Sequence, residues 1–412
     1  MDHEIFTLKN GIRILFKPSI SPISHCCLII NAGARDEKPG EPGLAHFIEH
    51  LLFKGTAKRN TNQILNRLEV VGADLNAYTT KEYTCLHASF LNEYLERSMD
   101  LLQDIAFFSA FHESEMEKEK GVIIDEILSY EDQPEEAIAD DFENILFEGH
   151  ALGENILGTK ASVQQFKRKD LVDFIDLTYN TSEIVFAISG QYASSKVLKL
   201  AEKYFGIIKE NKNQKKRIVP IKNITKEIEV LKPINQTHCI IGSQAYSFYD
   251  DRKYGLLLLN NLLGGNGMSS ILNLEVREKH GIAYTIESNY SAFSDTGIFS
   301  VYFGTDEEKA QKAIKLIHKE MRKLREHKLG HLKLHQAKQK FTGQIALSEE
   351  NRMGVLISMA KSLLDFNKID SLEEVFAKLN AVTAEELIAI ANEIFDPKAL
   401  NMLIFNPEEG SC

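Results

Sequence analysis

Cysteine is scarce in this chain of 412 residues: there are five, an odd number, and no two are spaced as CxxC. That excludes a disulfide framework and a cysteine-rich metal knuckle as organising principles. Adjacent Cys26 and Cys27 fall in an apolar, strand-like run and point to opposite faces, which reads as reduced packing. No apolar run reaches the ~20 residues that a membrane-spanning helix needs. The opening Met1-Asp2-His3-Glu4 lacks the basic start and apolar stretch of an export signal, so a cytoplasmic location is expected. Positive charge is also in deficit. Against 59 Asp and Glu there are 48 Lys and Arg, a net charge of −11 that argues against general nucleic-acid binding and mildly favours basic peptides.

What remains is globular: 43% apolar and 26% charged residues, over a length that suggests two domains of ~200 residues each. The chain opens on a hairpin pattern, Thr7 to Phe16, whose Asn10-Gly11 suits a type I′ turn. A strand follows at His25–Asn31, then a Gly/Pro-rich turn near Pro39–Gly43 and a helix. A second helix is expected around Asn62–Val71, an alternating run near Leu75–Phe90, and long helices to about Asp141. The strand Glu183–Ser189 and an amphipathic helix at Ser195–Tyr204 close the half. The lysine-rich stretch Lys209–Lys222 reads as a linker, and then the order restarts. His238-Cys239-Ile240-Ile241 echoes His25-Cys26-Cys27-Leu28, Gly255–Leu258 echoes Gly43–His46, and Asn401–Phe405 echoes Glu183–Ser189. The expected division is therefore 1–208, a linker at 209–223, and a homologous second domain at 224–412. The expected fold is α+β, each domain an antiparallel-rich sheet with helices packed on one face.

The chemistry concentrates in His46-Phe47-Ile48-Glu49-His50. At 3.6 residues per turn, His46 and His50 lie one above the other on one helical face, and Glu49 projects beside them. This is the inverted zincin order H-x-x-E-H: two imidazoles for a metal ion and a carboxylate able to hold a proton. In the second copy Leu258, Asn261 and Leu262 take these places, so the repeat has lost the ligands. A third ligand is sought in Glu117–Glu126, where Glu119 and Glu126 are seven apart and share a helical face; chemistry alone leaves Asp125 open. His327, His331 and His335 recur every four residues but are interrupted by Gly330 and read as a polar surface. Gly264-Gly265-Asn266-Gly267 lacks a phosphate-loop Lys and reads as a tight turn.

The string HFIEHLLFKGT, with a Glu 76 positions after His50 and another seven before that, resembles the pitrilysin family of inverted zincins. Within it the resemblance is closest to the mitochondrial processing peptidase β-subunit and its bacterial processing-protease relatives. It runs over essentially the whole chain and implies one Zn²⁺ per chain held by His46, His50 and Glu126. Glu49 is then the general base, and Glu119 a carboxylate that orients a ligand or water. Asn76-Ala77-Tyr78-Thr79 resembles the edge strand on which a peptide adds as an extra strand. Phe53 matches an apolar residue near the side chain that follows the cut bond. Glu136 and Asp140 match an acidic pair that receives a substrate arginine. Arg277 and Tyr284 match a pair that binds substrate backbone, with Tyr284 also steadying the oxyanion. The resemblance implies a zinc endopeptidase that hydrolyses extended peptides inside a chamber made of two chains, each forming half of a clamshell. One chain here carries both residue sets, so a homodimer is expected. The runner-up is a catalytically silent partner subunit, against which stands the intact set of ligands and base.

Overall fold

The computed structural model describes residues 3–221 and 224–408 and divides into two compact units, each built on one mixed sheet. Lys222, Asn223 and Cys412 lie outside the described residues. The first unit comprises the chain up to Leu128, Glu154–Ile218 and Ser348–Asp370; the second comprises Ser129–Gly153, Val219–Leu347 and the chain from Ser371.

The first unit's strands are β1 (Glu4–Thr7), β2 (Arg13–Pro18), β3 (Ile23–Ile30), β4 (Asp74–Thr79), β5 (Thr84–Leu91) and β6 (Ile184–Gly190), in the order β1-β2-β6-β3-β5-β4. Only β2 and β6 pair parallel. The β1–β2 hairpin forms where Asn-Gly signals it, but by a different turn. Gly11 has φ +95°, whereas Asn10 is not among the non-glycine residues with positive φ, so the type I′ geometry is ruled out. Gly11 N donates to Leu8 O at 2.9 Å, and the Asn10 side chain donates to the Phe205 and Ile208 carbonyls at 2.8 and 2.9 Å. Those buried side-chain bonds select the turn.

Helices α1 (Leu44–Leu51), α2 (Thr61–Glu69), α3 (Leu95–Phe107), α4 (Glu113–Glu131), α6 (Lys160–Gln165), α7 (Arg168–Thr178) and α8 (Ser194–Tyr204) share one core with Ile14, Phe16, Cys26, Leu28, Leu86 and Phe186. The alternate residues Leu15, Cys27, Ile29, Cys85, Val185 and Ala187 face the other way. There they meet Leu356, Met359, Ala360 and Leu363 of α12 (Arg352–Phe366). The main helical layer lies on one face, as expected, and one further helix covers the second. The reason is in the strands: Cys26–Ile30 and all of β6 are buried, and a strand apolar on both sides needs two covers.

The second unit repeats the topology: β7 (Glu227–Lys232), β8 (Thr237–Ala245), β9 (Ala283–Ala292), β10 (Gly297–Thr305) and β11 (Asn401–Pro407), ordered β7-β11-β8-β10-β9. Again one pair, β7 with β11, is parallel. This matches β2-β6-β3-β5-β4 strand for strand, with the anchors noted above on β3/β8, α1/α9 and β6/β11. Helices α9 (Lys253–Gly264), α10 (Glu307–Glu326), α11 (His331–Ser348) and α14 (Ala384–Ile394) fill one core. The short α13 (Leu372–Ala381) belongs to the same unit. The opposite face, with Ile240, Ile298, Leu403 and Phe405, is covered by Ile138, Phe142 and Leu146 of α5 (Pro134–Leu146).

Each copy thus contributes one helix to the other copy's sheet. A linear division at 208 and 224 groups α5 with the first sheet and α12 with the second; the contacts group them the other way. The expected linker has no regular structure from Lys209 to Ile221, but its charges are not all solvated. Lys215 reaches the Asn31 carbonyl and Glu183, and Arg217 pairs with Asp36 at 2.8 Å and donates to the Glu82 carbonyl at 2.6 Å. Arg35, itself paired with Glu82 at 2.6 Å, donates to the Ile218 carbonyl.

Candidate metal centre

α1 starts where Gly43 takes φ +93°; a Cβ there would sit 2.6 Å from the Leu157 carbonyl oxygen. Glu37 then caps the helix start, accepting from Gly43 N at 3.0 Å and Ala45 N at 2.7 Å. A carboxylate there satisfies orphan amides and complements the helix dipole, which fixes the helix that carries the histidines.

His46, buried, and His50, half-buried, extend from this helix toward Glu126 of α4. Glu126 Oε2 is 3.7 Å from His46 Nε2 and 3.4 Å from His50 Nε2, and one ligand atom from each residue falls within 4.8 Å of the others. Metal bonds of 2.0–2.1 Å in a tetrahedron put ligand atoms about 3.3 Å apart, close to these separations. Two imidazoles and a carboxylate are the donor set of a catalytic zinc site, with a position left for substrate. Among the described residues this is the one His/Cys/Asp/Glu group able to hold an ion. Asp125 is exposed and outside it, which closes the alternative; His327, His331 and His335 form no such group.

Electrostatics suit the donors to a cation. Burial, then the neighbouring His50, pushes His46 down to about 3, so its imidazole is neutral and its lone pair available. Burial raises the Glu49 carboxyl above the usual range, with Thr79 and His50 opposing and Glu126 adding. Glu49 Oε2 is buried and accepts no hydrogen bond from the described residues. Glu119 is buried and lies 3.2 Å from His50 Nδ1. Its other oxygen pairs with Lys54 Nζ at 2.6 Å. An outer carboxylate of this kind fixes the tautomer that leaves Nε2 free for a metal.

Asn76, Ala77 and Tyr78 lie on β4, the edge of the first sheet. Thr80 N donates to Tyr83 O at 2.9 Å, which makes Tyr78/Cys85 and Asn76/His87 hydrogen-bonded pairs by antiparallel alternation. The N–H and C=O of Leu75, Ala77 and Thr79 therefore face the open edge. Phe53 is half-buried against the first core. In the second unit, Glu136 is exposed and Asp140 half-buried on α5, one turn apart. Arg277 is exposed in the last turn of a short π-helical segment, Asn273–Glu278, and Tyr284 is 59% exposed on the edge strand β9, so neither is spent on packing.

Sequence reasoning missed three neighbours of the site. Lys54 lies past the end of α1, where helical spacing carries no signal. Thr79, already part of the edge-strand motif, continues the alternation of Ala77. Glu37 and the buried Tyr179, whose phenol is raised by burial and by Glu49, carry no local signal.

Comparison with known proteins agrees. Residues 13–160 match the family model described as insulinase (peptidase family M16), and residues 165–341 match the peptidase M16 inactive domain. The second description fits a copy whose ligand positions hold Leu258, Asn261 and Leu262. The chain is 32% identical over 392 residues to the uncharacterized zinc protease YmxG of Bacillus subtilis, covering 95% of each. It is 31% identical over 400 residues to an uncharacterized zinc protease of Rickettsia bellii, covering 96% of each. In fold it resembles the crystal structure of a protease from Helicobacter pylori, with a TM-score of 0.91 and 23% identity, over 98% of this chain and 100% of that one. A structure from Pseudomonas fluorescens described as a peptidase M16 inactive domain gives the same TM-score at 19% identity, over 99% of each chain. Among the described residues no helix is long and apolar enough to cross a membrane. The two-domain α+β fold, the inverted metal motif and a close relative over nearly the full length lead to one conclusion: this chain belongs to the M16, or pitrilysin, family of peptidases.

Proposed function

We propose that this protein is a cytoplasmic zinc endopeptidase acting on extended peptides. One Zn²⁺ per chain is held by His46, His50 and Glu126, and Glu49 is the general base. The observation that carries the reading is the convergence of those three donors, from helices far apart in sequence, beside Glu49, whose buried Oε2 accepts no hydrogen bond from the described residues.

Zinc in this donor set supplies Lewis acidity to the scissile carbonyl and to water. The chain's own residues do the rest. Glu49 takes the proton from the attacking water and delivers it to the leaving nitrogen, and its raised affinity for protons suits both halves of that transfer. Glu119 orients His50, and Lys54 holds Glu119. A substrate strand adds to β4 through the outward amides and carbonyls of Ala77 and its alternate neighbours, which requires an unfolded segment. Phe53 contacts the side chain after the cut bond. Arg277 and Tyr284 bind substrate backbone, Tyr284 also facing the oxyanion. Glu136 and Asp140 favour a basic residue on the N-terminal side of the cut, the feature that aligns this chain with processing peptidases.

The working form is a homodimer; full activity of a monomer at nanomolar concentration would contradict that. The main test is mass spectrometry of products from a mixed peptide library with wild type, Glu49→Gln, and chelated then zinc-restored enzyme. Persistent cleavage by Glu49→Gln, or after complete metal removal, would overturn the mechanism. An unchanged preference for Arg and Lys in Glu136→Ala/Asp140→Ala would overturn the specificity.

A further inference from the structure

The helix α10 is basic in an acidic chain. Lys315, Lys319, Arg322 and Arg325, at offsets of four, seven and ten residues, share one face and line a groove of about 380 Å³ whose far wall is Phe395 and Pro397. Elsewhere on α10 Lys309 pairs with Asp306 and Lys323 with Glu320, each at 2.7 Å, while Lys312 is exposed outside the groove. The four groove cations have no ion-pair or side-chain hydrogen-bond partner among the described residues. The Arg325 Nε is buried and makes no hydrogen bond there either. His318 shares the groove, its imidazole kept toward the neutral form by burial, with Glu227 of β7 opposing.

Like charges three and four apart on a helix repel, and a chain of net charge −11 has carboxylates enough to neutralise them. They are instead gathered in a concavity. Its volume falls in the lower part of the ~300–1,000 Å³ range of small-molecule sites. Two guanidinium forks and two ammonium groups match several oxyanions close together, the chemistry of linked phosphates. We infer that this groove binds a small anion carrying two or more phosphate groups, either free or as a lipid headgroup. None of its residues belongs to the metal centre or the proposed peptide-binding set.

The test is calorimetric titration of the full-length protein with inorganic triphosphate at two salt concentrations. Vesicle co-sedimentation runs in parallel, with phosphatidylcholine alone and with added phosphatidylinositol 4,5-bisphosphate. Wild type should bind one probe, at least tenfold more weakly in Arg322→Gln/Arg325→Gln, and more weakly when salt rises from about 50 to about 200 mM. Triphosphate binding without sedimentation identifies a free anion, and sedimentation with the phosphorylated lipid alone identifies a headgroup. Lys312→Gln, exposed on the same helix but outside the groove, should leave affinity unchanged. No binding of either probe, undiminished binding by the double variant, or an equal loss in Lys312→Gln would each overturn the inference. Matching melting temperatures of the three proteins show that the variants fold.

Discussion

Lys54→Met isolates the outer support of the metal centre without touching a ligand. Lys54 Nζ lies 2.6 Å from Glu119 Oε1, and Glu119 Oε2 lies 3.2 Å from His50 Nδ1, so one carboxylate links the cation to the histidine. The Glu119 side chain is 5% exposed and that of Lys54 31%. Removing one partner of a fully buried pair costs about 3–5 kcal/mol, because the survivor stays charged and desolvated. Solvent reaching Lys54 screens part of this, leaving about 1.5–3 kcal/mol. That figure is a cost in folding stability; zinc affinity should separately fall ~10–100-fold, the usual range for loss of a group that orients a metal ligand. Competition against a chromophoric chelator measures this directly on the apoprotein, with no turnover involved. Lys54→Arg should recover most of the affinity, and circular dichroism should show an unchanged fold. Unchanged affinity in Lys54→Met would refute the link. Tighter binding would refute it more sharply, by showing that Lys54 competes with His50 for Glu119.

Other consequences follow from the same geometry. Glu49→Gln keeps shape but not basicity; turnover should fall by at least ~100-fold with zinc content unchanged, read by steady-state kinetics and metal analysis. Glu37→Ala removes the acceptor of the Gly43 and Ala45 amides at the start of α1 and should cost about 1–2 kcal/mol, seen as a lower urea midpoint. Glu82→Ala strips a buried partner from Arg35 and from the segment holding Arg217; a loss of about 3–5 kcal/mol is expected in the same assay.

Legibility from sequence followed the range of the interactions. The His46/Glu49/His50 face was readable because i and i+4 geometry is local and needs no partner. Glu126 was not readable from residues alone: of α4's 19 residues only Met116, Glu119 and Ile123 are buried, so its apolar pattern barely marks a face. The family resemblance supplied that ligand, and the packing explains it, since Ile123 anchors the face from which Glu119 and Glu126 reach the histidines. The duplicated sheet was readable at three anchors because the apolar stretches Cys26–Ile30 of β3, Cys239–Ile241 of β8 and Leu403–Phe405 of β11 recur in the same order along the chain. The exchange of α5 and α12 was not, because an amphipathic helix encodes that it needs a sheet but not which sheet. The pinning of Lys215 and Arg217 was hidden similarly: their acceptors lie about 130 or more residues away, or on Glu183.

The edge strand gives a test that separates substrate binding from every other part of the site. Ala77 turns its N–H away from β5, so Ala77→Pro removes no ladder bond, and a proline facing the open side of an edge strand is tolerated. The same change deletes a donor that an added peptide strand would use. If substrates bind by strand addition, KM for an extended peptide should rise several-fold or more. Zinc affinity should hold, because no ligand or its support has moved. His87→Pro, on the central strand β5, is the contrast: β5 is paired on both sides, so the whole unit should be destabilised. A folded, zinc-loaded Ala77→Pro protein with unaltered KM would mean that peptides approach the metal by another route, and the role given to β4 would fall while the metal chemistry stood.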